Sequence, residues 1–144
     1  MKICDVMTNE VTSINVDDTV QKAAQIMNKN NVGSVPVCRD GKIVGIVTDR
    51  DITLKSIAQG ENISSIKVSS IMSLNPITGN LNMDVHEAAN LMAENQIRRL
   101  PIVDNNAIVG ILSLGDLAVD SKFVNEAGDA LSEISENTTS SSSI

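Results

Sequence analysis

The sequence is nearly devoid of aromatic residues: Phe123 stands alone among 144 residues, with no Trp and no Tyr. Proteins that hold single-stranded nucleic acid stack its bases on aromatic rings, so this composition argues against such a partner. The formal net charge of −7 argues the same way, because a polyanion calls for a basic face. No run of about 18 apolar residues occurs, and no membrane span is expected. The opening Met1-Lys2-Ile3-Cys4-Asp5 lacks the apolar region of a signal peptide, so a cytoplasmic protein is expected. Cys4 and Cys38 are too few and too far apart for a metal knuckle or a disulfide framework, and read as reduced core thiols. His86 has no Cys or second His at ligand spacing, and no metal site is expected. Neither a P-loop nor a Ser–His–Asp set is visible, so the chain is not expected to be an enzyme.

What the sequence does contain is a repeat. Residues 6–53 align with 71–118 without a gap, at a constant offset of 65, and thirteen of the 48 pairs are identical. The identities include Met7/Met72, Val20/Val85, Ala23/Ala88, Ala24/Ala89, Met27/Met92, Pro36/Pro101, Gly45/Gly110 and Asp51/Asp116. Two copies make a pseudo-two-fold pair, whereas a solenoid needs more.

Each copy predicts the same elements. Ser13–Val16 and residues 78–81 read as short first strands. Asp18 with Gln21, and Asp84 with Glu87, have the spacing of a helix-capping box. Val20, Ala23, Ala24 and Met27, and their twins, then form the buried stripe of an amphipathic helix. Val35–Cys38 and Ile43–Val47 flank an Asp40-Gly41 turn, a strong hairpin signal echoed over residues 100–112. A second helix is predicted from Asp49 to Gln59. Repeat 1 is placed at residues 2–60, a linker at 61–67 and repeat 2 at 68–121. Phe123, Val124, Ala127, Leu131 and Ile134 predict a helical tail over 122–136, and the polar stretch 137–144 is expected to be disordered.

The chain turns on Gly45-Ile46-Val47-Thr48-Asp49-Arg50-Asp51 and its echo Gly110-Ile111-Leu112-Ser113-Leu114-Gly115-Asp116. Thr48-x-x-Asp51 and Ser113-x-x-Asp116 fit capping boxes. They also fit a ligand site, since a helix start presents free amides to an anion. A hydroxyl there donates to a phosphate, a carboxylate one turn in accepts from a ribose diol, and the glycine lets a ligand approach the strand. Capping and binding both remain open on the residues alone.

These motifs resemble the cystathionine-β-synthase (CBS) domain, and two in tandem resemble a Bateman module. The likeness covers roughly residues 2–120. It implies an α/β (α+β) fold of two β-α-β-β-α repeats packed about a pseudo-two-fold axis, with adenine nucleotides in two inter-repeat clefts. The family's hydroxyl and aspartate match Thr48 and Asp51, and Ser113 and Asp116. Arg98-Arg99-Leu100-Pro101 is similar to the His-Arg-Leu-Pro of adenylate-binding energy-sensor subunits, where the basic pair faces phosphates. Gly33 and Ser34 stand at that place in the first repeat. The resemblance assigns Ile77, Ile97, Arg98 and Arg99, with Arg50, to the Thr48/Asp51 cleft, and Thr12, Val32 and Ser34 to the Ser113/Asp116 cleft. It implies a regulatory sensor of AMP, ADP or ATP, with S-adenosylmethionine or NADH as further ligands, acting as a homodimer on a separate effector protein. The rival expectation is an interaction scaffold that kept the fold and lost its ligand.

Overall fold

The computed structural model describes residues 1–119 and 124–141, with side chains placed for 1–118 and 126–135. The described residues form seven strands and five α-helices, α and β elements mixed as expected. In the first repeat, Ile14–Asn15 (β1) precedes the helix Val20–Asn30 (α1). The hairpin Ser34–Arg39 (β2) and Lys42–Thr48 (β3) follows. Asp40 and Gly41 at its turn take φ of 53° and 78°, as a two-residue hairpin turn requires. β1 pairs parallel to β2 at Val37 and Cys38 only, so Pro36 lies beside an open stretch of that edge, where a strand tolerates proline.

The helix cap differs from the expected one. Thr19 is the N-cap of α1, and its hydroxyl accepts from the Lys22 amide at 3.2 Å. Asp18 instead accepts from the Asn15 amide and pairs with the Lys22 ammonium. Thr19 is the register mate of Asp84, which caps the equivalent helix, so the offset of 65 holds at the caps. Ala24, expected in the buried stripe, is half-buried.

Thr48 ends β3 and caps Asp49–Ile52 (α2), which continues as a π-helical turn over Thr53–Ile57 instead of a regular helix to Gln59. The Thr53 hydroxyl donates to the Asp49 carbonyl at 3.0 Å, and back-bonding of this kind bends a helix. The Ala58 amide then reaches the Thr53 carbonyl five residues back.

A short strand Ser73–Leu74 (β4) pairs with Gly45 and Ile46 of β3. The second repeat runs Gly79–Asn80 (β5), Val85–Asn95 (α3), Arg99–Asp104 (β6), Ala107–Ser113 (β7) and Leu114–Val119 (α4). Its pairings copy those of the first: β5 parallel to β6, β6 antiparallel to β7, with Asn105 and Asn106 at positive φ in the turn.

The compact units are cut differently from the repeats. One is Thr12–Pro76, and the other joins Met1–Val11 to the chain from Ile77 onward. The reason is packing. Ile3 is fully buried with Val85, Ala88 and Met92, and Thr8 bridges to Ile111. Ser73 bears the same relation to Ile46 within Thr12–Pro76. The core of that unit is Ile14, Val20, Ala23, Met27, Val35, Val37, Val47 and Ile52, closed by Val68 and Ile71 from the start of the stretch expected to be repeat 2, with Ile63 and Ile66 of the expected linker packed against it.

Val124–Ser141 forms α5, packed on α3 and α4 through Ala127, Ala130 and Ile134. The helix extends beyond residue 136, into the stretch expected to be disordered. Phe123, the Val124 side chain and residues 142–144 lie outside the described residues. Cys38 is buried, and burial pushes its thiol up despite an opposing hydrogen bond from Ser13. Cys4 is exposed, not a core thiol: in the turn Ile3–Asp5 only Ile3 points inward. Among the described residues no helix is long and apolar enough to cross a membrane.

Candidate functional site

Both hydroxyl–aspartate pairs are reciprocal capping boxes. The Thr48 hydroxyl accepts from the Asp51 amide and the Asp51 carboxylate accepts from the Thr48 amide, each at 3.0 Å. Ser113 and Asp116 repeat both bonds at 3.0 Å. A β-strand ending in a hydroxyl residue thus hands its last amide to the acid three positions on, which fixes that carboxylate at the mouth of the helix. Asp51 is only 8% exposed, so water screens its charge poorly.

A cation missed in the sequence completes this arrangement. The Lys55 ammonium lies 3.1 Å from the outer oxygen of Asp51, and its side chain is half exposed. Asp51 therefore has one oxygen on a backbone amide and the other on the Lys55 ammonium, which also donates to the Ile71 carbonyl at 3.5 Å. A hydrogen-bond donor reaching the outer oxygen would compete with Lys55 for it. The signal was the Asp-x-x-x-Lys spacing, which places both on one helix face. The corresponding position in the second repeat is Asp120, outside the described residues.

The other expected residues fall into two groups. In the Thr12–Pro76 unit, Ser34 is the cross-strand partner of Thr48, and the Asp49 amide donates to the Gly33 carbonyl at 2.9 Å. Arg50 is exposed in the first turn of α2, Thr12 is exposed, and Val32 packs against the core. A Cβ on Gly33 would sit 3.2 Å from an Asp49 carboxylate oxygen, so the glycine leaves room for that side chain. In the second unit, Arg99 is the cross-strand partner of Ser113, and the Leu114 amide donates to the Arg98 carbonyl at 3.0 Å. Ile97 packs against the core, and Ile77 is exposed. The structure therefore gathers Ser34, Thr48, Arg50, Asp51 and Lys55 in one unit, and Arg98, Arg99, Ser113 and Asp116 in the other.

The repeated glycine has a different role from the one expected. A Cβ on Gly45 would meet the Met72 sulfur at 2.7 Å and the Ser73 carbonyl at 2.8 Å. On Gly110 it would meet the Met7 sulfur at 2.5 Å and the Thr8 carbonyl at 3.1 Å. Space expected to admit a ligand is filled by the repeated methionine and the backbone after it. The glycine is a packing requirement.

Two β-α-β-β-α repeats, each with a hydroxyl–aspartate box at a strand–helix junction, define a duplicated module. The family model of the CBS domain matches residues 3–57 and 68–119, and the chain belongs to that family. It is 47% identical over 131 residues to the CBS domain-containing protein YhcV of Bacillus subtilis, covering 91% of this chain and 93% of that one. The crystal structure of Hypoxic Response Protein I with two coordinated zinc ions matches with a TM-score of 0.76 at 30% identity, covering 83% of this chain and 98% of that one. The CBS domain pair of protein MJ0100, in complex with 5′-methylthioadenosine and S-adenosyl-L-methionine, matches with a TM-score of 0.72 at 28% identity, covering 83% and 98%. The CBS pair is a regulatory module in many proteins. Among the described residues of this chain, no group of three or more His, Cys, Asp or Glu could hold a metal.

Proposed function

We propose that the chain is a non-catalytic cytoplasmic sensor that binds an adenosine-containing ligand and passes its occupancy to a partner protein. The observation carrying this is the Asp51 carboxylate, buried, fixed by the Thr48 amide and flanked by Lys55 and Arg50. A fixed carboxylate accepts from a ribose diol, while the Thr48 hydroxyl and the two cations suit phosphate. The relative solved with 5′-methylthioadenosine and S-adenosyl-L-methionine supports the adenosyl class. AMP, ADP and ATP are the preferred ligands at Asp51. The Ser113/Asp116 box has Gly115 where Arg50 stands, and the family resemblance gives the phosphate-facing Arg98 and Arg99 to the Asp51 cleft, so this box suits a less charged adenosyl ligand such as S-adenosylmethionine. Arg99→Ala is expected to weaken ATP more than adenosine.

The scaffold reading has its own observation: both boxes are already satisfied by internal hydrogen bonds. Thermal unfolding with AMP, ADP, ATP, S-adenosylmethionine, NADH and GTP separates the two. An adenosyl ligand at a hundred times its dissociation constant adds about 2.7 kcal/mol. The sensor reading expects that gain for adenosyl compounds and less for GTP. No shift with any of them leaves the scaffold.

We further propose a homodimer. Leu54 and Ile57, 44% and 57% exposed on the helical face after Asp51, are the supporting feature. Sedimentation at micromolar concentration is expected to give the dimer mass. A monomer unchanged by nucleotide contradicts this.

A further inference from the structure

Two cavities occupy equivalent places in the two repeats and have opposite chemistry. In the first repeat, Asp49, Arg50, Thr53 and Leu54 line a cavity of 280 Å³. At the offset of 65 the first three become Leu114, Gly115 and Ala118, which line a cavity of 380 Å³ in the second. All three polar side chains have been lost. The tail helix α5 supplies the facing wall with Ala127, Gly128 and Leu131, and Arg98 stands at the edge in place of Gly33.

Helix packing explains the loss of polarity but not the space that remains. Glycine is among the poorest helix formers, and two of these wall residues are glycines within helices. Neither has a positive φ. A Cβ on Gly128 would meet nothing within 4 Å, and one on Gly115 would meet only the Ser113 hydroxyl at an ordinary 3.5 Å. No close contact demands either glycine. What they share is that each keeps this cavity open. Arg98 is exposed, and no carboxylate of the described residues pairs with its guanidinium.

We infer that the cavity between α4 and α5 binds a small molecule with an apolar body and a single carboxylate, the body against Leu114, Ala118, Ala127 and Leu131 and the carboxylate on Arg98. A mostly apolar cleft of this volume, open to solvent along Gly115, Ala118, Gly128 and Leu131 with Ala127 buried behind them and one charged group at its rim, has the make-up of a small-molecule site. Arg98 matches a planar carboxylate bidentately. The site does not rest on the proposed adenosyl site at Asp51; it adjoins the Ser113/Asp116 box, which contributes Leu114 and Gly115, and it gives Arg98 a carboxylate where the family resemblance gives it a phosphate.

Octanoate serves as the probe, titrated into the full chain and followed by the methyl resonances of Ala118, Ala127 and Leu131. Saturable shifts of these methyls are expected. Gly128→Leu fills the space with a better helix former, so it is expected to keep or raise the melting temperature while weakening octanoate at least tenfold. Arg98→Met is expected to weaken octanoate about tenfold and leave octanol unchanged. ATP-induced stabilisation is expected to survive Gly128→Leu. Octanoate shifts that are absent, that persist in Gly128→Leu, or that Arg98→Met leaves intact would overturn the inference.

Discussion

Gly45→Ala is expected to destabilise the protein by about 1–3 kcal/mol, the usual cost of overpacking a well-filled core. The added methyl meets one partner that can move and one that cannot. Met72 can swing its sulfur from 2.7 Å, but the Ser73 carbonyl at 2.8 Å belongs to β4, paired with β3. In a chain of this length each kcal/mol lowers the melting temperature by about 2–4 °C. Gly128→Ala is the contrast, because its Cβ enters open space and gains helix propensity of up to about 1 kcal/mol. Thermal denaturation of both variants is the check. A stable Gly45→Ala protein would show that the methionine segment yields easily.

Asp51→Ala is expected to remove most nucleotide affinity, and Asp116→Ala to spare it. Two differences set the two boxes apart. Asp51 is buried with Lys55 on its outer oxygen, and Arg50 stands one residue before it where the second repeat has Gly115. Phosphate on a protein of net charge −7 needs cations nearby, and a hydrogen bond to a charged group is worth about 1.5–3 kcal/mol. Losing the bonds to one carboxylate thus costs at least about tenfold in affinity. Asp51→Ala also breaks the capping box, so its melting temperature is measured alongside the titration. If Asp116→Ala abolishes tight binding and Asp51→Ala does not, the assignment of the two boxes is reversed.

The repeat made most of the fold readable. A constant offset of 65 fixed both hairpins, both first helices and both hydroxyl–aspartate boxes. Where sequence and structure part, a local pattern competes with the repeat or with a distant contact. Asp18 looked like a cap, yet the offset from Asp84 points to Thr19. Gly45 and Gly110 looked like ligand clearance because nothing local names Met72 or Met7 as the neighbour. The pairing of β4 with β3, and the packing of Ile3 beside Val85, depend on chain segments far apart in sequence. The π-turn after α2, closed by the Ala58 amide on the Thr53 carbonyl, is a departure that helical periodicity does not show. Lys55 was legible as an i, i+4 partner of Asp51; its spacing carried the signal. The tail helix was legible from its apolar stripe, but the cavity it walls depends on what Gly115 and Gly128 leave unfilled.

The central claim is that the Asp51 carboxylate accepts from a ribose diol, and a double-mutant cycle by titration calorimetry tests it most directly. ATP and 2′,3′-dideoxy-ATP are titrated into the parent chain and into Asp51→Ala. The predicted result is a loss of about tenfold or more on removing the diol from the parent complex, and no loss in Asp51→Ala. Dideoxy-ATP binding the parent as tightly as ATP would contradict the account.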